Sequence, residues 1–246
     1  MFYTRDRAAV GMALLSLVPL GQLRSVAPSK VLEKKLYTPQ YRDVVVEVEQ
    51  VEENGITFQL RNADTRTANV LRKILLSYVP TLAIDLVNIE TNTSLMLDEE
   101  LAYRLGLVPL QSSKVSSYAE ECTCTDFCPL CSASFDLDIT CIENIREVTT
   151  LDLLPREKNV IPVLVDEQPI LLARLRKGQS LRFTAVAKRG LGTLHTKWSP
   201  VTLASFSCTD NSETGFTFYV ETTGSLPPTE ILETAYSILK SGILSC

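Results

Sequence analysis

A chain of 246 residues, 45% hydrophobic and 22% charged, has the make-up of a globular protein with one large domain or two modest ones. Its net charge of −5, from 24 basic and 29 acidic residues, argues against an autonomous nucleic-acid binder, which needs a concentrated basic surface. No run approaches the roughly 20 apolar residues that span a bilayer, so no membrane role is expected.

Residues 1–42 form an N-terminal extension. Within it Val10 to Gly21 is short and apolar and follows Arg5 and Arg7, the make-up of a secretory signal core or an Arg-bearing organellar presequence. Asp6 and the lack of a small-x-small cleavage site count against both. The extension is expected to be disordered or to pack on a neighbour.

Folded structure is expected from Asp43. Val44, Val46 and Val48 alternate with Val45, Glu47 and Glu49, the period-2 pattern of a half-buried strand. Asn54-Gly55 is a strong turn dipeptide, and Ile56, Phe58 and Leu60 give a second strand, so a hairpin opens the fold. A helix follows. Val70, Leu71, Ile74, Leu75, Tyr78 and Val79 fall on one face, with Arg72, Lys73 and Ser77 opposite. Asp64 or Thr65 can cap its start, and Pro80 stops it, having no N–H and a ring that crowds the preceding turn.

Ala83 to Thr91 reads as a strand, and Asp98 to Leu105 as a helix with acids at its positive end and a left-handed stop at Gly106. A Ser-rich loop, Ser112 to Ser117, precedes the cysteine cluster, and Ser134 to Ile142 alternates again. Ile170 to Arg176 and Ser180 to Lys188 read as a second hairpin about Lys177-Gly178-Gln179, with Leu181, Phe183, Ala185 and Ala187 sharing a face. Val201 to Ser207 and Phe216 to Glu221 are strands separated by the polar run Thr209 to Thr214. Pro227-Pro228-Thr229 opens a last helix whose stripe is Ile231, Leu232, Ala235, Ile238 and Leu239, ending at Gly242.

Seven cysteines are present, and four crowd together as C-x-C-x3-C-x2-C: Cys122, Cys124, Cys128 and Cys131. An odd total with one tight cluster reads as a metal site rather than a disulfide framework. Four thiolates match tetrahedral Zn(II), one per chain, in a closed structural site that leaves no position for substrate. An iron–sulfur cluster, a redox-active C-x2-C, and four unligated loop thiols are the alternatives. No catalytic set stands out. The lone His195 has basic neighbours and no adjacent carboxylate, and there is no nucleophile elbow, Walker loop or G-x-G-x-x-G. Arg174, Arg176, Lys177, Arg182, Lys188 and Arg189 make either a solvated sheet face or a docking surface for an acidic neighbour.

An ordered series of motifs resembles the alpha-type subunits of multisubunit RNA polymerases. It comprises Leu60-Arg61-Asn62-Ala63-Asp64, Ala68-Asn69-Val70-Leu71-Arg72-Lys73, Val79-Pro80-Thr81-Leu82-Ala83-Ile84-Asp85, Arg104-Leu105-Gly106-Leu107-Val108-Pro109-Leu110-Gln111-Ser112, Leu175-Arg176-Lys177-Gly178-Gln179, Ala187-Lys188-Arg189-Gly190 and Lys197-Trp198-Ser199-Pro200. Within that family the cysteine quartet and Lys197-Trp198-Ser199-Pro200 are most similar to the third-largest subunits of eukaryotic RNA polymerase II. The counterparts shared by polymerases I and III come next, then the archaeal forms, some of which carry iron–sulfur clusters. The chain departs from the pattern in its longer N-terminal extension, in Lys73 where an arginine is common, and in a brief last helix.

The resemblance implies an α+β fold: a discontinuous dimerisation domain, residues 43–80 and 201–246, interrupted at 81–200 by an inserted mixed β domain that carries the metal loop. It implies a non-catalytic assembly subunit, located in the nucleus, with no sequence-specific DNA contact of its own. It would pair with the small alpha-like (eleventh) subunit to make a platform for the second-largest subunit and two small zinc-bearing subunits. The partner surface it implies is Val70, Leu71, Ile74, Leu75 and Tyr78 with Ile231, Ala235, Ile238 and Leu239.

Overall fold

Val45–Val51 (β1) and Gly55–Arg61 (β2) pair antiparallel across the Asn54-Gly55 turn; β2 turns Ile56, Phe58 and Leu60 to a buried face, whereas β1, expected to be half-buried, is exposed apart from the half-buried Val46. The computed structural model describes residues 44–112, 118–119, 121–124, 127–156, 160–165, 167–208 and 215–241. The N-terminal extension, most of the Ser-rich loop, the run Thr209 to Thr214 and the stop at Gly242 lie outside these residues.

Asn62 (φ 56°) turns the chain out of β2 into helix α1, Thr65–Ser77. Asp64 caps that helix: its Oδ1 accepts from the Thr67 backbone N–H at 2.8 Å and from the Thr67 hydroxyl at 2.6 Å. Those hydrogen bonds hold the Asp64 carboxyl below the usual carboxylate range. The chain then runs through strand β3 (Thr81–Asn92), helix α2 (Asp98–Gly106), β4 (Ser132–Thr140), β5 (Ile145–Thr149), β6 (Leu154–Pro155), β7 (Leu171–Arg176), β8 (Ser180–Gly190), β9 (Val201–Cys208), β10 (Gly215–Thr222) and helix α3 (Pro228–Ser241). The left-handed stop expected at Gly106 is not used. Leu107 ends α2 in right-handed geometry, its N–H donating to Arg104.

Two hydrophobic cores result. The first is built on the antiparallel sheet β1-β2-β10-β9, with α1 and α3 contributing Leu71, Ile74, Leu75, Ile231, Ala235 and Leu239 to it. Phe58 stacks on Phe218 directly across β2 and β10, centroids 5.0 Å apart. Phe206 on β9 continues the row at 5.0 Å from Phe218. Tyr236 on α3 donates to the Val44 carbonyl at 2.8 Å, and Arg72 on α1 donates to the Ala204 carbonyl at 2.7 Å, so each helix is pinned to an outer strand.

The second core is built on the sheet β3-β8-β4-β6 and the pair β5-β7, and α2 contributes Leu101 and Leu105. Strands β7 and β8 are consecutive, yet they do not pair with each other. Strand β7 pairs with β5, and β8 runs between β3 and β4. The second hairpin expected from the sequence is therefore a crossing between sheets. Leu181, Phe183, Ala185 and Ala187 do share a buried face on β8.

A seam of hydroxyls and close approaches joins the two cores. Thr81 donates to the Trp198 carbonyl at 2.7 Å. The Ser112 hydroxyl accepts from the Leu82 N–H at 2.8 Å, while its own N–H donates to Ser225 at 2.9 Å. All these side chains are buried and hydrogen-bonded, as burial of a hydroxyl requires. The Trp198 ring fills the space that a Cβ at Gly190 would need, and Gly192 passes so near the α1 end that its Cβ would meet the Leu76 carbonyl oxygen at 2.6 Å.

Within the seam, Lys197 Nζ lies 2.7 Å from Asp85 Oδ1, 3.1 Å from the Ile84 carbonyl and 4.2 Å from the Trp198 ring centroid. Lys188 adds a second cation at 3.6 Å. Burial pushes the Asp85 carboxyl up, but the Lys197 hydrogen bond and the charges of Lys197 and Lys188 outweigh it, and the net shift is downward. A carboxyl depressed by folding adds stability above its unfolded value and loses it as pH falls through its folded value. Lys197→Met is therefore expected to cost about 2 kcal/mol near pH 7 and much less at an acid pH below the depressed folded value of Asp85, where the carboxyl is protonated in either protein. Urea melts at the two pH values measure the difference.

Candidate metal centre

The cysteine loop runs directly into β4. Cys131 immediately precedes Ser132, which pairs with Lys188 on β8, so the last thiol is rooted in the middle of a sheet and is buried. The other three sit further out, with Cys124 exposed and Cys122 and Cys128 half-buried. Pro129-Leu130 makes the tight C-x2-C turn: the Cys131 and Ser132 N–H groups both donate to the Cys128 carbonyl, at 3.0 and 2.9 Å. The Cys128 N–H donates back to the Cys131 sulfur at 3.5 Å.

The four sulfurs lie within 4.8 Å of one another. Cys122 and Cys128 are separated by 3.6 Å, Cys124 and Cys131 by 3.8 Å, and Cys128 and Cys131 by 3.7 Å. Sulfurs at about 2.3 Å from a tetrahedral ion stand about 3.8 Å apart, so the quartet has the dimensions of a single-ion cage. Side chains separated by one residue on an extended run need a local turn to converge on a point off the chain, and the C-x-C half brings both its thiols to the cluster. The arrangement fits a metal ion held by four thiols, a donor set complete without a substrate ligand.

The thiols do not hold their protons equally. The Leu130 backbone N–H, then the Cys122 thiol, lower Cys128 to about 7, whereas the hydrogen bond with Cys122 leads in pushing Cys124 up to about 12. Two cations clasp the loop to β8: Lys188 Nζ lies 4.8 Å from the Phe127 ring centroid, and Arg189 lies 5.1 Å from that of Tyr118. Neither clasp was legible in the sequence, because nothing in the spacing brings Phe127 or Tyr118 to β8. Cys141 is separate: it is buried, and its thiol faces the Glu143 and Leu175 carbonyls. Cys208 is exposed at the end of β9.

The residues assigned from the sequence to a partner surface divide into two groups. Leu71, Ile74, Leu75, Ile231, Ala235 and Leu239 are enclosed by the chain's own sheet and helices, each at most 1% exposed. Their apolar face is covered from within. Val70, Tyr78 and Ile238 are half-buried beside that core, as are Leu76 and Tyr236. His195, the one histidine, caps the short 3-10 turn Thr196–Trp198, its Nδ1 accepting from the Lys197 N–H at 3.1 Å. Half of the basic set is neutralised in place: Arg174 pairs with Glu147 at 2.9 Å, Arg182 with Asp138 at 2.7 Å, and Lys188 with Asp85.

Residues 57–242 match the family model of the RNA polymerase Rpb3/Rpb11 dimerisation domain. The chain is 40% identical over 174 residues to DNA-directed RNA polymerase II subunit rpb3 of Dictyostelium discoideum, covering 67% of this chain and 58% of that relative. It is 36% identical over 173 residues to DNA-directed RNA polymerase II subunit RPB3 of Schizosaccharomyces pombe, covering 65% and 58%. It is also 36% identical over 165 residues to DNA-directed RNA polymerase subunit Rpo3 of the archaeon Methanosphaera stadtmanae, covering 65% and 60%. The chain thus spans somewhat under two thirds of the length of these relatives.

Proposed function

We propose a role whose premise is that the chain belongs to the RNA polymerase Rpb3/Rpb11 dimerisation-domain family. The chain serves as a non-catalytic assembly subunit of nuclear RNA polymerase II. It pairs with the small alpha-like subunit, and the pair forms the platform on which the second-largest subunit and two small zinc-bearing subunits gather. The division that fits this role is a dimerisation domain of residues 43–80 and 201–246 around an insert of residues 81–200.

The observation that carries the reading is the first core. The family match begins inside β2 and runs to the end of α3, and these two stretches of chain meet on a single sheet with both helices packed on it. The half-buried Val70, Tyr78 and Ile238 give that element apolar surface left over for a partner, while the six enclosed residues support it from beneath. The Ser112–Ser225 hydrogen bond and the close approach of Gly192 to the end of α1 tie the second core to the first, which a platform needs.

The four cysteines fit Zn(II) by donor type and by spacing. Bound there, zinc would tie the loop closed and supply no chemistry of its own. Co-expression of the chain with the small alpha-like subunit tests the pairing. A 1:1 complex on size exclusion, with one zinc per complex by elemental analysis, is the expected result. A monomeric chain that stays soluble beside its unbound partner would overturn the pairing, and iron or no metal would overturn the zinc assignment.

A further inference from the structure

The end of the second core remote from the cysteine loop carries a patch that neither the pairing nor the metal loop uses. Its centre is the β7–β8 turn, Arg176-Lys177-Gly178, where Gly178 has φ 82°. Two other turns are bonded to it. The Lys177 and Gly178 N–H groups donate to the Asn144 and Cys141 carbonyls, at 3.2 and 2.8 Å, which seats the turn 142–144 on one side. Gln179 Nε2 donates to the Thr93 carbonyl at 2.7 Å, and the Thr93 N–H donates to the Ser180 carbonyl, which seats the loop 93–97 on the other.

These neighbours carry unusually open apolar side chains: Ile142 is 82% exposed, Leu95 80%, Leu97 70% and Ile145 63%. Ile145 lies directly opposite Arg176 in the β5–β7 register. Scattered exposed leucines are ordinary, but four of the most exposed apolar residues around one turn are not.

The charge pattern says what fits there. In the second core Arg104, Arg146, Arg156, Arg174 and Arg182 each pair with a carboxylate, as do Lys188 and Lys197, and Arg189 lies over Tyr118. Among the described residues, only Arg176 and Lys177 in this core lack such a partner, and Glu143 in the adjoining turn pairs with neither. Two unmatched cations framed by leucines and isoleucines complement a ligand with carboxylates beside apolar side chains. A second copy of the patch would set like charges against each other. Nucleic acid would gain little from four aliphatic side chains and would meet a chain of net charge −5.

We propose that this turn is a docking site for an acidic, amphipathic segment of another polypeptide, with its carboxylates on Arg176 and Lys177 and its apolar side chains on Ile142, Ile145, Leu95 and Leu97. The site lies on the chain's own second core and does not rest on the polymerase assignment.

The test uses the full chain co-purified with its partner and a fluorescein-labelled synthetic peptide carrying Glu and Asp between Leu and Phe at helical spacing. A control peptide has Lys at every acidic position. Anisotropy is expected to report saturable binding of the acidic peptide alone, weakening with added salt. Arg176→Glu with Lys177→Glu should weaken it about tenfold or more, and Ile142→Ser with Leu95→Ser should do the same. Leu194→Ser, at an exposed leucine elsewhere, should leave it unchanged. All these positions are exposed, so circular dichroism melts should not move. Equal binding of the Lys peptide, undiminished binding by the Arg176/Lys177 variant, or preferential adsorption to phosphatidylserine vesicles would overturn the proposal. So would a photo-crosslinker at residue 142 that, in the assembled polymerase, joins only another core subunit.

Discussion

Cys131→Ser is expected to abolish retention, under ordinary dialysis, of the zinc proposed for the quartet, and to loosen the start of β4. Structural zinc in a four-ligand site is worth about 10–16 kcal/mol in apparent binding free energy, so one ligand of four carries about 2.5–4 kcal/mol. At 1.4 kcal/mol per tenfold, losing it weakens binding by roughly two to three orders of magnitude. Cys131 is the most telling of the four because it is buried and is followed at once by Ser132 in the β4–β8 ladder. The fault therefore reaches the sheet as well as the loop. Cys124→Ser should lose the metal with less effect on stability, since Cys124 is exposed. Cys208→Ser is the control: it keeps a cysteine change but lies exposed at the end of β9, on the sheet of the first core. Elemental analysis and a chelator competition read the metal, and a thermal melt reads the stability. Retention of one zinc at parental affinity by Cys131→Ser would remove the quartet as the site.

What the sequence disclosed, and what it hid, follows from the range of the interactions involved. Periodicity is local, so the hairpin, α1, β3, α2, β8, β9, β10 and α3 are all legible within a residue or three of their observed ends. The Asp64 cap and the Pro80 stop are local too. The cysteine cluster is legible because its four donors fall within ten positions. Pairing is not local. Strands β7 and β8 read as a hairpin because a Gly-containing turn joins them, yet their partners are β5, β3 and β4. Strand β5 was missed because most of its five residues are exposed and Val148 alone is fully buried, so it shows no clean alternation.

The same limit explains the partner surface. A helical stripe reveals that Leu71, Ile74, Leu75, Ile231, Ala235 and Leu239 need cover, but not whether a sheet of the same chain supplies it. Here the covering residues, Phe58, Phe206, Phe216 and Phe218, come from strands at both ends of the sequence. The seam was equally hidden: Thr81, Ser112 and Ser225 are unremarkable as residues and become structural only when the two cores meet.

That burial decides which substitutions can interrogate the heterodimer. Leu75→Asp would put a carboxylate into a core where Leu75 is 1% exposed, costing about 4 kcal/mol or more and unfolding the chain whether or not it has a partner. The informative change is Val70→Asp combined with Ile238→Asp. Both side chains are half-buried at the edge of the first core, where water can still solvate a carboxylate in the free chain. In the complex the same carboxylates would be desolvated against an apolar partner. The double variant is expected to keep its cooperative melt, within about 1–2 kcal/mol of the parent, and to bind the small alpha-like subunit at least about a hundredfold more weakly, as loss of central apolar anchors does. Co-expression pull-down and isothermal titration measure the binding, and urea melts measure the fold. Undiminished pairing by a folded double variant would move the partner to another face of the sheet. Val45, Val48 and Val51 on the edge strand β1 are the largest exposed apolar group of that sheet, and a second round of aspartates would be aimed there.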